Sequence, residues 1–152
     1  MNDNEKVLLI EDGEYKSKSV IEYLKSELGF KFVDLAESYS SAIKALVANE
    51  YTYVIIDMSL PTFDQKESEI SSDFRALAGL DIARQIERRN INVHYVFLTQ
   101  FQSLSSGEDS MDLDEIDEVA RSRYGVGFKG TIFYEHSGSR WKEELKEFIL
   151  GD

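Results

Sequence analysis

Four residues combine a reactive type with a telling position: Glu11 and Asp12, Asp57, and Thr99. Each closes an apolar run. Glu11-Asp12 follows KVLLI, Asp57 follows YVII, and Thr99 follows VHYVFL. If those runs are neighbouring strands, three carboxylates and a hydroxyl meet at one edge. Carboxylates brought together repel, their pKa values rise, and a cation relieves the repulsion. Oxygen ligands suit a hard divalent ion, Mg²⁺ above all. An aspartate beside such an ion can attack phosphorus and become an aspartyl-phosphate, and a nearby hydroxyl can donate a hydrogen bond to a phosphoryl oxygen. Taken singly, each residue has a plainer account as a solvated loop acid or, for Thr99, a helix cap. The specificity lies in all four standing at strand ends in this order.

The elements that must position them alternate along the chain. Lys6–Ile10, Lys31–Leu35, Tyr53–Asp57, Val93–Thr99 and Gly130–Tyr134 read as strands. Between them, helical spacing is carried by Val20, Ile21, Leu24 and Leu28, by Ala42, Ile43, Leu46 and Val47, and by Leu80, Ile82, Ala83 and Ile86. Leu113, Ile116 and Ala120 mark a fourth helix, and Trp141, Leu145, Phe148 and Ile149 a fifth. Gly29 stands where the first helix would stop. Val54, Ile55 and Ile56 are apolar without alternation, as in a strand buried on both faces. Five strands alternating with five helices predict an α/β fold with a parallel sheet covered on both sides. In such sheets ligands gather at the carboxyl ends of the strands.

Bulk properties narrow the class. The chain has 152 residues and a formal net charge of −12. That length suits one domain with its own core. Such acidity disfavours nucleic acid, whose phosphates would repel it, and favours a divalent cation or a basic protein surface. With no Cys, disulfides and thiolate zinc sites are excluded. No apolar stretch is long enough for a membrane span, and no basic segment precedes the first apolar run, so a cytoplasmic protein without a signal peptide is expected. Nothing after Asp152 supplies an effector domain, so output is expected through contact with another protein.

At these motifs the chain resembles the receiver domains of two-component response regulators. LLIEDGE resembles that family's first strand with its acidic pair, YVIIDMSLP its phosphoacceptor strand and following proline, and VFLTQ its fourth strand with a hydroxyl residue. The resemblance covers most of the chain. It implies a flavodoxin-like, doubly wound five-stranded parallel sheet of order 2-1-3-4-5. It also implies Asp57 as phosphoacceptor, Mg²⁺ bound by Asp12 and Asp57, by Glu11 through water and by the main-chain carbonyl of Ser59, and Thr99 as the switch hydroxyl. The switch aromatic falls on Phe133, with Ile132 and Thr131 as alternatives. The implied phosphodonor is a histidine kinase or phosphotransfer protein.

The chain departs from the family in three places. The lysine usual at the end of the fifth strand is missing, and its position falls on Tyr134, Glu135 or His136, while Lys129 lies at the strand's other end. A unit ion pair at about 4 Å is worth on the order of 4 kcal/mol at an effective dielectric near 20, before desolvation, so its loss matters. Gln65 to Ala78 form an insertion between the third strand and third helix, with Ile70, Phe74 and Leu77 spaced like an amphipathic turn. Gln100 stands after Thr99 where the family has a very small residue. Separately, EDSMDLDEIDE (108–118) reads as the acidic face of the fourth helix, suited either to solvent or to a basic partner. A module of the same fold that binds partners without phosphorylation is the alternative function. An aspartate-nucleophile phosphatase is disfavoured because Ser59 stands where its second acid would be, and a flavin carrier because the carboxylates of EDGEY would repel the cofactor phosphate.

Overall fold

Residues 4–64, 74–100, 103–106 and 109–151 are described by a computed structural model of the chain. Five strands form one parallel sheet: β1 (Lys6–Ile10), β2 (Phe32–Ala36), β3 (Tyr53–Ile56), β4 (His94–Thr99) and β5 (Phe128–Phe133). Their order is β2-β1-β3-β4-β5, all neighbours being parallel. Register pairs Ile10 with Ile56 and with Ala36, and Ile56 with Phe97, which brings the carboxyl ends of the three central strands level. The expected flavodoxin-like topology is therefore present.

Strand pleating divides the apolar runs between two cores. Leu8, Ile10, Val54, Ile56, Tyr95 and Phe97 face one layer, made by α2 (Tyr39–Ala48), α3 (Ala78–Arg88) and α4 (Leu113–Arg123). Val7, Leu9, Ile55, Val96 and Leu98 face the other, made by α1 (Glu14–Glu22) and α5 (Arg140–Leu150). This two-sided burial is why the central strands show no polar alternation. After Glu22, α1 widens into a π turn (Tyr23–Glu27) and closes at Gly29, whose φ of +79° only glycine adopts without strain. The Ser38 hydroxyl caps α2 by accepting from the N–H of Ser41, and Asp112 caps α4 by accepting from Glu115.

Two local expectations are corrected. The acidic run is helical only in its second half: Asp109–Asp112 is extended, pairs antiparallel with Ser103–Ser106, and α4 starts at Leu113. Asp112 explains the break, since an N-cap side chain must bond the first turn from extended backbone. Within the segment expected to be an insertion, Phe74–Arg75 pairs antiparallel with Leu60–Pro61 instead of continuing a helical turn. Local ladder bonds there outweigh the spacing signal. Leu77 packs on the core as that signal suggested, while Ile70 lies outside the described residues.

The first turn of α3 rests directly on the end of β3. The Gly79 N–H donates to the Met58 carbonyl at 2.9 Å, and a Cβ at Gly79 would lie 3.1 Å from the Asp57 carbonyl oxygen and 3.0 Å from Met58 Sδ. Gly79→Ala gains about 1 kcal/mol of helix propensity but overpacks this contact at a cost of about 1–3 kcal/mol. The expected outcome in urea unfolding is a net loss of about 1 kcal/mol, against a change within about 0.5 kcal/mol for Gly138→Ala, whose Cβ would meet nothing nearer than 3.6 Å.

Candidate functional site

Beyond Ile10 and Ile56 the two central strands run on for one more residue. The Asp57 N–H donates to the Ile10 carbonyl and the Glu11 N–H to the Ala36 carbonyl, both at 2.9 Å. Pleat parity then turns the side chains of Glu11 and Asp57 toward the α1 layer, the side of Leu9 and Ile55. Both are buried. Asp12 is exposed at the mouth. One carboxylate oxygen from each of Glu11, Asp12 and Asp57 lies within 4.8 Å of the others. Thr99 ends β4 fully buried. The next described element after it is the strand Ser103–Ser106, so among the described residues no helix starts at Thr99.

Into this cluster reaches a cation that the sequence reading did not single out. Lys16, in the first turn of α1, is only 3% exposed. Its Nζ lies 2.7 Å from Glu11 Oε1 and 3.2 Å from Asp57 Oδ1, and it donates to the Leu98 carbonyl at 2.6 Å. Among the described residues no other lysine or arginine is buried. A signal was available: Lys16, Val20 and Leu24 follow one another at i, i+4 and i+8, so a lysine sits on the apolar stripe of the helix.

The three positions proposed for the missing lysine are distributed differently. Tyr134 extends β5, its N–H donating to the Thr99 carbonyl at 2.8 Å, and its ring is buried with Lys16 Nζ 5.5 Å from the centroid. The Tyr134 hydroxyl is 3.0 Å from His136 Nδ1. Glu135 and His136 are exposed. Phe133 is half-buried on the face opposite Tyr134, beside α4, whereas Ile132 is buried beneath α5 and Thr131 is half-buried. Gln100 is exposed.

Electrostatics follow from this packing. Burial pushes the Asp57 carboxyl up to about 7; Lys16 acts against that rise and Glu11 adds to it. Asp12 is also raised, first by partial desolvation and then by Glu11. The Met58 N–H donates to Asp57 Oδ1 and the Gly13 N–H to Glu11 Oε2, each at 2.9 Å. Glu11 Oε1 has an ion contact with Lys16 but no aligned hydrogen bond, so a buried oxygen keeps accepting capacity. When all three carboxylates are ionised, one ammonium leaves them a double negative charge. An all-oxygen donor set with that charge and a free lone pair fits a hard divalent cation.

No family model matches the chain. It is 23% identical over 146 residues, 95% of its length and 97% of the relative's, to the uncharacterized protein y4jR of Sinorhizobium fredii (strain NBRC 101917 / NGR234). Solved structures are more telling. A signal receiver domain from Vibrio parahaemolyticus superposes with a TM-score of 0.66 at 16% identity, covering 95% of this chain and 89% of that one. The chain has the fold of a receiver domain. The HemR receiver domain of Leptospira biflexa, in its non-phosphorylated form, gives a TM-score of 0.64 at 19% identity, covering 97% and 95%. The response regulator TrrA of Thermotoga maritima, solved with Mg²⁺ and BeF, gives 0.57 at 17% identity, covering 95% and 98%. In this receiver fold the carboxylate cluster lies at the carboxyl edge of the central strands, where open α/β sheets bind ligands.

The raised Asp57 pKa has a definite consequence for stability. Because the folded value lies above the ordinary 3.8, Asp57 contributes stability below about pH 4 that is lost as pH rises through about 7. In metal-free protein, Asp57→Asn is expected to flatten the fall in stability between pH 5 and pH 8. At pH 8 it should raise unfolding free energy relative to wild type by more than it does at pH 5. Urea titrations in chelator at the two pH values measure this, and equal pH slopes for the two proteins would refute it.

Proposed function

We propose that this chain is a phosphoacceptor receiver, in which Asp57 takes a phosphoryl group from a phosphohistidine donor and the modified domain signals by protein contact. The observation that carries the reading is the convergence of Glu11, Asp12 and Asp57 within 4.8 Å on the receiver fold, with Thr99 ending the neighbouring strand. Asp12 and Asp57, Glu11 through water, and the main-chain carbonyl of Ser59 are the residues that would hold Mg²⁺. The ion, when bound, supplies charge shielding for the incoming phosphoryl group.

The chain's own residues account for the remaining chemistry. The Met58 N–H fixes Asp57 Oδ1, so the carboxylate has one rotamer when the donor arrives. An Asp57 oxygen attacks phosphorus as the phosphorus–nitrogen bond of the donor breaks. The imidazole keeps that electron pair and takes a proton, leaving an aspartyl-phosphate. Thr99 supplies the hydroxyl that hydrogen-bonds a phosphoryl oxygen and reports the event to β4. Hydrolysis of the acyl phosphate returns Asp57, so the protein changes only its own state and turns over no other substrate.

The donor is a histidine kinase or phosphotransfer protein. Output is assigned to the face of α4, β5 and α5, where an open groove of about 1020 Å³ runs between Phe133 and Phe148. Its rim carries Asp114, Asp117, Glu144 and Glu147 around Arg121 and Lys129, so the acidic character is tempered by two cations. Arg121 Nε donates to Asp117 Oδ2 at 2.6 Å, which leaves Asp114 as the freer acid for a basic partner. The composition supports a cytoplasmic protein that does not bind nucleic acid, and no described helix is long and apolar enough to cross a membrane.

Incubation with Mg²⁺ and a small acyl-phosphate donor tests the reading directly. The expected result is a mass increase of one phosphoryl group on the wild type and none on Asp57→Asn. An unmodified wild type, or equal modification of both proteins, sinks it.

A further inference from the structure

Resting on the phosphoacceptor reading, we infer that Lys16, delivered by the first turn of α1, is the cation that pairs with the phosphoryl group on Asp57. Its Nζ already contacts the reacting carboxylate, at 3.2 Å from Asp57 Oδ1. The end of β5 carries no lysine or arginine for that purpose, since Tyr134, Glu135 and His136 follow Phe133, and the buried Tyr134 ring lies under the ammonium, its centroid 5.5 Å from Nζ.

A buried lysine could be explained as charge balance for the acid cluster alone. Three features argue for more. An ammonium has three donors, and here they face three acceptors of unequal strength: the carboxylates of Glu11 and Asp57 and the carbonyl of Leu98. The Leu98 carbonyl accepts an aligned hydrogen bond from Lys16, whereas the Glu11 contact is an ion pair without hydrogen-bond alignment, so part of the ammonium's pairing capacity toward the carboxylates is unused. Phosphorylation converts the single negative charge of Asp57 to about two on the phosphoryl oxygens. The strongest acceptor then lies on the Asp57 side, and Lys16 leaves the neutral Leu98 carbonyl for it.

That exchange ties the modification to particular elements. Leu98 immediately precedes Thr99 on β4, and Tyr134, under the ammonium, bonds back to the Thr99 carbonyl. The Tyr134 ring is 5.0 Å from that of Trp141, the one tryptophan of the chain. Movement of Lys16 therefore changes the surroundings of an intrinsic fluorophore on α5, and α1 becomes the element pulled directly by the phosphoryl group. Lys16 acts as a positioning residue before transfer and as a phosphoryl ligand after it.

The test separates metal binding from phosphoryl binding. Full-length wild type, Lys16→Met and Asp57→Asn are titrated first with Mg²⁺ and then, at saturating Mg²⁺, with fluoroberyllate as the phosphoryl mimic, following Trp141 fluorescence. Lys16→Met is expected to keep or tighten Mg²⁺ affinity, because a competing cation is gone. It should weaken fluoroberyllate by about 10-fold to 100-fold, the value of a hydrogen bond to a charged group. A purely structural lysine would move both affinities together, and equal fluoroberyllate affinity in wild type and Lys16→Met overturns the assignment. If Lys16→Met does not fold, a crystal structure of the wild type with Mg²⁺ and fluoroberyllate decides: Lys16 Nζ hydrogen-bonded to fluorine upholds the inference, and Nζ remaining on Leu98 with no fluorine contact overturns it. Wild type that takes no fluoroberyllate at Asp57 overturns the phosphoacceptor reading and this inference with it.

Discussion

An ammonium group sealed among two carboxylates and a main-chain carbonyl is the interaction around which the rest of the site is arranged. Without Lys16, Glu11 and Asp57 would bring two buried negative charges to adjacent strand ends with no other buried lysine or arginine among the described residues to oppose them. Removing one partner from a buried pair costs about 3–5 kcal/mol, because the other charge is left uncompensated. The arrangement in turn needs a parallel sheet. Only parallel strands place the ends of β1, β3 and β4 at one edge, and only pleat parity turns both Glu11 and Asp57 toward α1.

The same cluster holds one carboxylate that is costly to ionise. Lys16 offsets part of the charge but leaves the Asp57 carboxyl raised, since burial is the larger effect. A carboxylate that is costly to ionise in the folded state gains from any ligand that brings positive charge. Folding and ligand binding are thereby coupled through one residue, as linkage requires. Gly79 has a part in this geometry, because only a residue without Cβ lets α3 approach the Asp57-Met58 backbone so closely.

That the buried cation is carried by a helix, and not by a strand end, has structural consequences. A lysine at the end of β5 would be carried by the sheet, whereas Lys16 is carried by α1, which packs on the sheet through Val20 and Leu24. Tyr134 can then be aromatic and buried, joined to Trp141 on one side and to His136 on the other. The result is an aromatic cluster at the α1–α5 end of the molecule, directly under the ionic one.

Much of this was legible in the residues themselves. Runs such as VLLI and YVII are apolar without alternation because both sheet faces are covered, so strands and layer order follow from local pattern. The acids at strand ends were equally visible, since each alone has a solvated-loop account but all of them closing apolar runs in this order do not. The strand at Asp109–Asp112 escaped notice because a dense acidic run carries a helical charge signal whichever backbone it adopts, and the cap at Asp112 only marks where the helix begins. Lys16 escaped for a deeper reason. In sequence it is one charge in EYKSKS, apparently a solvated helix face, and its partner Leu98 is 82 residues away. Spacing along a chain fixes which residues share a face, but which face covers which strand end depends on crossover direction and packing. The sequence by itself determined the sheet, its two layers and the acids at its edge; the tertiary structure alone decided that the cation among them comes from α1.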